Sequence, residues 1–166
     1  MFLLVAVSVF VFEVKSKIRK EIIVYNEQRN TLIHLISGDE NYVISKNEIT
    51  DDDYSSRIIE TTKIKYRLND PVFLTANLKY EDENLFLDKN LVSFEGKTIQ
   101  ILDGKKKIFH DFAPEFVIGP AADFTDSTQI PGLSCYISTS RHQPQIAAQN
   151  LEIHSLVEKG AFREKW

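Results

Sequence analysis

Short apolar runs, each closed by a polar turn, recur from Ile22 almost to the end of the chain. Runs of this length, rich in β-branched and aromatic residues and bounded by Gly, Asn, Asp or Ser, predict strands rather than helices. Ile22–Tyr25, Leu32–Ile36 and Tyr42–Ile44 are separated only by NEQRN and by SGDEN, and such short connections predict an antiparallel meander. Thr50 then precedes Asp51, Asp52 and Asp53. A hydroxyl N-cap followed by carboxylates suits the free N–H groups and positive end of a helix, so a helix is predicted there, with Tyr54, Ile58 and Ile59 on its apolar face. The strand pattern resumes with Ile64–Leu68, where apolar and basic residues alternate, and with Val72–Leu74 behind Pro71. Leu85–Leu87, Leu91–Phe94, Thr98–Leu102 and Phe116–Ile118 complete this middle part, the last ending at Gly119-Pro120.

The closing stretch Leu133–Phe162 has a different rhythm. An apolar run (Leu133–Ile137) leads to a polar turn with Pro144, a helix-permissive piece (Gln145–Gln149) and a second apolar run (Leu151–Leu156). Lys159-Gly160 then offers a tight turn into Ala161-Phe162. Strand, crossover helix, strand and hairpin is the predicted order, and a crossover helix implies a layered α/β domain with its sheet covered by helices.

Met1–Phe12 (MFLLVAVSVFVF) carries no ionisable side chain, and the run stops at Glu13. A membrane-crossing helix needs about 20 apolar residues, so this run is too short to span unaided. Its basic residues, Lys15, Lys17, Arg19 and Lys20, come after it, whereas a secretory signal carries them in front. This order predicts the closing part of a membrane helix with a basic interfacial collar, with a signal peptide and a buried core segment as the alternatives. Met1 is then an internal start or the edge of a longer chain. The expected organisation is 1–14 as the end of a membrane helix or anchor, 15–20 as a juxtamembrane collar, and 21–166 as a single soluble α/β domain. The positive-inside rule puts that domain on the cytoplasmic side of the inner membrane.

Charge and chemistry narrow the function classes. A net charge of −4 gives no global attraction to nucleic acid. Lys105, Lys106 and Lys107, with Phe109 and Phe112 just beyond, are the one local candidate for single-stranded DNA, because such binders pair backbone-directed charge with base-stacking rings. A solvated lysine turn has the same composition. Cys135 is the only cysteine, so no intrachain disulfide can form and a buried structural thiol is expected. Histidines 34, 110, 142 and 154 stand far apart, so no metal site is built from local spacing. His34 and His154 alternate with apolar neighbours as satisfied structural histidines would. His110-Asp111 with Asp123 and Asp126 is the best available metal set, and the aspartates 51–53 read more simply as a first helical turn. No G-x-S-x-G, phosphate-cradling glycine loop or C-x-x-C pair occurs.

The order of segments from Ile22 resembles the C-terminal region of ComEC-type competence proteins, the membrane channel family for uptake of transforming DNA, in its divergent Bacteroidetes-type form. VYNEQRNTLIHLI stands where that family has a strand, a Gly-Gln-Gly-Asp turn and a strand, with Gln28 as the one match in the turn. FVIGPAA lies where active members carry a His-His-Gly-Ser ligand motif, and LSCYISTSRHQP with LEIHSLVEKGAF resembles the closing strand, histidine-proline loop and glycine hairpin. The resemblance implies a metallo-β-lactamase-like α/β domain following the last membrane helix. Active members hold two zinc ions with a His-x-His-x-Asp-His cluster, and no histidine occurs between Tyr42 and Thr75 here. The implied product is a degenerate, non-catalytic domain with no metal and no small-molecule cofactor. Its implied partners are the membrane, channel-forming helices of the same or a neighbouring chain, and single-stranded DNA. A freestanding membrane-anchored interaction protein and a metal-dependent hydrolase remodelled around His110, Asp111, Asp123 and Asp126 are the alternatives.

Overall fold

The computed structural model of the chain describes residues 14, 17–25, 31–47, 49, 54–102, 112–120, 132–140 and 151–166. Among them, twelve strands form two sheets. The first sheet starts as the predicted antiparallel meander, β1 (Lys20–Tyr25), β2 (Leu32–Ser37) and β3 (Glu40–Ser45). Helix α1 (Tyr54–Tyr66) crosses from it to β4 (Val72–Thr75), parallel to β3. In the second sheet, β5 (Tyr80–Glu81), β6 (Leu85–Asp88), β7 (Leu91–Phe94) and β8 (Lys97–Ile101) are antiparallel neighbours. Beyond them β9 (Phe116–Gly119), β10 (Cys135–Ser138) and β11 (Glu152–Ser155) continue parallel to β8. A single turn, α2 (Leu156–Lys159), leads into β12 (Phe162–Lys165), which joins the first sheet beside β1.

The period of two along each strand sorts the side chains into layers. Ile22, Val24, Ile33, Leu35 and Ile44 point between the sheets and meet Leu87, Val92, Phe94, Ile118 and Ile137 of the second. Their alternates Ile23, Leu32, Ile36 and Val43 face α1, whose Ile59 closes a second cluster with Leu68. Both faces of the first sheet are therefore covered, which is why KEIIVY and LIHLIS read as near-continuous apolar runs. On the outer face of the second sheet, Val117 and Tyr136 form a third cluster with Leu102. Gly119 lets β9 end against Leu102, since a Cβ there would meet the Leu102 Cβ at 2.6 Å.

Two expectations are corrected. Ile64–Leu68 is no strand: residues up to Tyr66 are the end of α1. The buried positions Ser55, Ile59 and Thr62 follow the helical period, while Ile64 is 69% exposed. The Arg67 N–H donates to the Ile64 carbonyl at 3.4 Å and the Leu68 N–H to the Lys63 carbonyl at 3.0 Å. That is a Schellman closure with Arg67, at φ 55°, where glycine is usual. The second correction is the closing hairpin. β12 does not fold back on β11 but crosses to β1, because Phe162 is buried in the core between the sheets, 6.0 Å from the Phe116 ring.

The parallel pairing of β10 and β11 demands the crossover that the closing stretch predicts. The candidate helix at 145–149, the cap and aspartates at 50–53 and the apolar run at 1–12 lie outside the described residues. Among the described residues, no helix is long and apolar enough to cross a membrane.

Candidate functional site

The carboxyl ends of β3 and β4 and of β8, β9, β10 and β11 gather at one rim of the sandwich. A relay of backbone bonds runs from one sheet to the other there: Ala76 N–H to the Ser45 carbonyl (2.9 Å) within the first, Asn90 N–H to the Ala76 carbonyl (2.9 Å) between the two, and Ile101 N–H to the Asn90 carbonyl (2.8 Å) within the second. Ligands of open α/β sheets bind beyond strand carboxyl ends, so this rim is the place where chemistry would be expected. It encloses a cleft of about 20 Å³ lined by Thr31, Ser45, Lys46, Asn77 and Asn90 and by the ends of β3 and β8. That is room for about one water. None of the described lining residues is an imidazole, carboxylate or thiol, and the described residues contain no group of three or more His, Cys, Asp or Glu able to hold a metal ion.

At the other end of β3, a groove of about 330 Å³ runs between Glu40, Asp70, Asp82 and Glu83, with Tyr42 and Tyr80 as its walls. Its polar atoms largely serve one another. Asp82 Oδ1 accepts from the Asn84 and Leu85 N–H groups at 2.9 and 2.8 Å, and its Oδ2 from the Tyr80 hydroxyl at 2.9 Å. Burial works against the Asp82 charge, but these donors hold its carboxyl below the ordinary value. Asn84 Nδ2 donates to Glu40 at 2.9 Å, and burial pushes the Tyr42 phenol up. The arrangement is an Asx turn that shapes the β5–β6 corner.

His34 is fully buried, with Nε2 3.0 Å from Asn41 Oδ1 and Nδ1 3.4 Å from the Tyr25 hydroxyl. Burial lowers its pKa to about 4, only partly offset by the Asn41 bond, so it is a neutral structural histidine as expected. His154 Nε2 lies 3.1 Å from the Gly160 carbonyl and its ring packs on Phe162. Cys135 is 3% exposed, and burial pushes its thiol up to about 12, far from a reactive thiolate. Cys135 and His154 are on neighbouring strands, with the thiol bonded to the His154 backbone N–H, whereas His34 is on the other sheet. Lys105, Lys106, Lys107, His110, Asp111, Asp123, Asp126, His142 and Gln28 lie outside the described residues. One gathering escapes pattern reading altogether: Arg19, Lys65, Arg163 and Lys165, from three separate parts of the chain, surround Tyr66 and the buried Glu21. The alternation of Arg163 and Lys165 on β12 is the only local sign of it.

Among the described residues, two sheets packed face to face, few helices and a rim of parallel strand ends define a mixed α/β sandwich. The family model of the ComEC C-terminal domain matches residues 22–118, from β1 into β9. That is more than half of the chain, and the chain belongs to this family. The matched stretch stops short of the closing block around VEKGAF. No curated protein and no solved structure matches. Membership places the chain in the setting of competence and DNA uptake through an inner-membrane channel.

Proposed function

We propose that this chain supplies a non-catalytic domain to a ComEC-type DNA-uptake channel protein, a two-sheet sandwich of degenerate metallo-β-lactamase type held beside the membrane by the apolar segment Met1–Phe12. In this reading it packs against channel-forming helices and lies along the path of incoming single-stranded DNA. The observation that carries it is the rim. At the carboxyl ends of β3 and β4, where a metal hydrolase of this class needs clustered imidazoles and carboxylates, the described side chains are Ser45, Lys46, Thr75, Ala76 and Asn77. These hydroxyls, amides and one ammonium give the β3 and β4 ends, among the described residues, no ligand set for the ions that turn water into hydroxide at neutral pH. Family membership and the lysines 105–107 support the nearness to DNA.

The test is metal analysis of the purified full chain together with incubation on single-stranded DNA. The expected result is no stoichiometric zinc or manganese and no cleavage. Stoichiometric metal, or cleavage abolished by His110→Ala or Asp123→Ala, would replace this reading with the hydrolase.

A further inference from the structure

On the α1 side of the first sheet, cations from three parts of the chain converge. The Arg19 guanidinium lies 4.3 Å over the Tyr66 ring and donates to the Tyr66 carbonyl at 3.4 Å. Lys65 Nζ and the Arg163 guanidinium stand 5.4 and 5.8 Å from the same ring. Arg163 Nε is 2.8 Å and Lys165 Nζ 3.7 Å from the two oxygens of Glu21. Lys17 is exposed two residues before Arg19.

Counted as charges, the cluster is in surplus. Glu21 and the negative end of α1 offset part of it. Among the described residues, no carboxylate lies within ion-pair distance of Arg19 or Lys65. Lys20, Lys63 and Lys97, by contrast, pair with Glu95, Asp70 and Glu115. In a chain of net charge −4, a face of unspent positive charge is a departure.

Its position says what it meets. Only Glu13–Lys17 separates Ile18 from the apolar run Met1–Phe12. At about 3.5 Å per extended residue, Ile18 stays within roughly 20 Å of Phe12. Arg19 is anchored to the sheet, its carbonyl accepting from the Gly38 N–H at 2.8 Å. With that run in lipid, as the proposed attachment has it, the basic face is tethered within reach of headgroups. The one ring of the cluster is already covered by Arg19, which leaves it unsuited to base stacking.

We propose that Arg19, Lys65, Arg163 and Lys165 form a docking surface for anionic phospholipid headgroups, which lays the α1 side of the sandwich against the membrane. This rests on the membrane attachment proposed above. The test is partitioning of the full chain onto vesicles of phosphatidylcholine alone and of phosphatidylcholine mixed with phosphatidylglycerol. Binding to both is expected, with an excess on the anionic vesicles that high salt removes. Each basic residue near such a surface contributes about fivefold. Lys17→Gln with Lys65→Gln, which breaks no ion pair among the described residues, should cut the excess by roughly tenfold or more with an unchanged thermal melt.

Equal partitioning on the two vesicle types, or an excess that the double variant leaves intact, overturns the surface while leaving the attachment standing. Binding to the anionic vesicles alone removes the attachment by the apolar run and keeps the surface. No binding to either removes both. Release of the vesicle excess by a single-stranded oligonucleotide, through binding that needs Lys17 and Lys65, overturns the lipid assignment in favour of nucleic acid.

Discussion

Two polar clusters stand on the same face of the first sheet and solve opposite problems. Tyr25, His34, Asn41 and Thr62 lie under α1, uncharged, each hydroxyl, amide and imidazole facing another: Tyr25 to Thr62 at 3.1 Å, Asn41 to His34 at 3.0 Å and Asn41 to the Asn69 carbonyl at 2.8 Å. Glu21, Arg163, Lys165 and Arg19 lie at the β1–β12 edge and are charged. Glu21 has no exposed surface and no aligned hydrogen bond, and Arg163 at 2.8 Å holds it as an ion pair. The first cluster meets its own hydrogen-bond needs and can be sealed under a helix. The second cannot, and its cations open to solvent. Interior polarity of this kind is structural, and edge polarity is available for a partner.

The clusters are coupled, because Arg163, Ile23, His34 and Val43 stand in one cross-strand row. The largest effect expected is on acid stability. Burial first, then the nearby charge of Arg163, depress the His34 pKa from 6.5 to about 4, with the Asn41 bond opposing. The unfolded chain therefore binds a proton that the folded chain refuses between those values. Stability is whole above pH 6.5, falls as pH drops through the window, and reaches a loss of about 3 kcal/mol near pH 4. Denaturant titrations across that range should show the slope in the native chain and its absence in His34→Gln. A smaller loss comes from the edge. Arg163→Leu with Lys165→Leu leaves Glu21 buried without a counter-charge, at about 2 kcal/mol, below the usual range for a buried pair because Arg163 is itself half-exposed. Adding Glu21→Leu should restore most of it. In the same background the His34 titration followed by NMR should move upward, since one of its depressing charges is gone; an unmoved midpoint would show that the clusters are independent.

The strands were legible because both faces of the first sheet are covered, so that stretches such as Ile22–Tyr25 and Leu32–Ile36 carry apolar residues at nearly every position. What escaped reading was non-local or unconventional. α1 closes on Arg67 rather than glycine, and its exposed Ile64 between Lys63 and Lys65 imitates a strand's alternation. β12 pairs with β1 across nearly the whole chain, and a local turn at Gly160 cannot reveal so distant a partner. The basic cluster has the same cause: residues 19, 65, 163 and 165 share no sequence window. The unexceptional character of His34, His154 and Cys135 was readable from their apolar neighbours. The absence of a histidine cluster before Thr75 was equally plain, and it bears on the rim only once β3 and β4 are seen to end there.

The smallest effect is the one that separates the clusters most cleanly. Tyr25→Phe removes a single hydroxyl from the inner cluster and nothing from the outer one. Its loss leaves the Thr62 hydroxyl still donating to the Ile58 carbonyl at 2.9 Å, and leaves His34 Nδ1 short of a contact that was already long at 3.4 Å. One buried hydrogen bond of ordinary quality contributes about 1 kcal/mol, and the ring that fills the space beside Ile59 stays in place. A loss of that size in denaturant unfolding, with partitioning on anionic vesicles unchanged, is the expected outcome. A drop in vesicle binding would mean that the hydrogen bonds under α1 also hold Tyr66 and its cations in register, and the division between a sealed interior cluster and an outward-facing edge would fail.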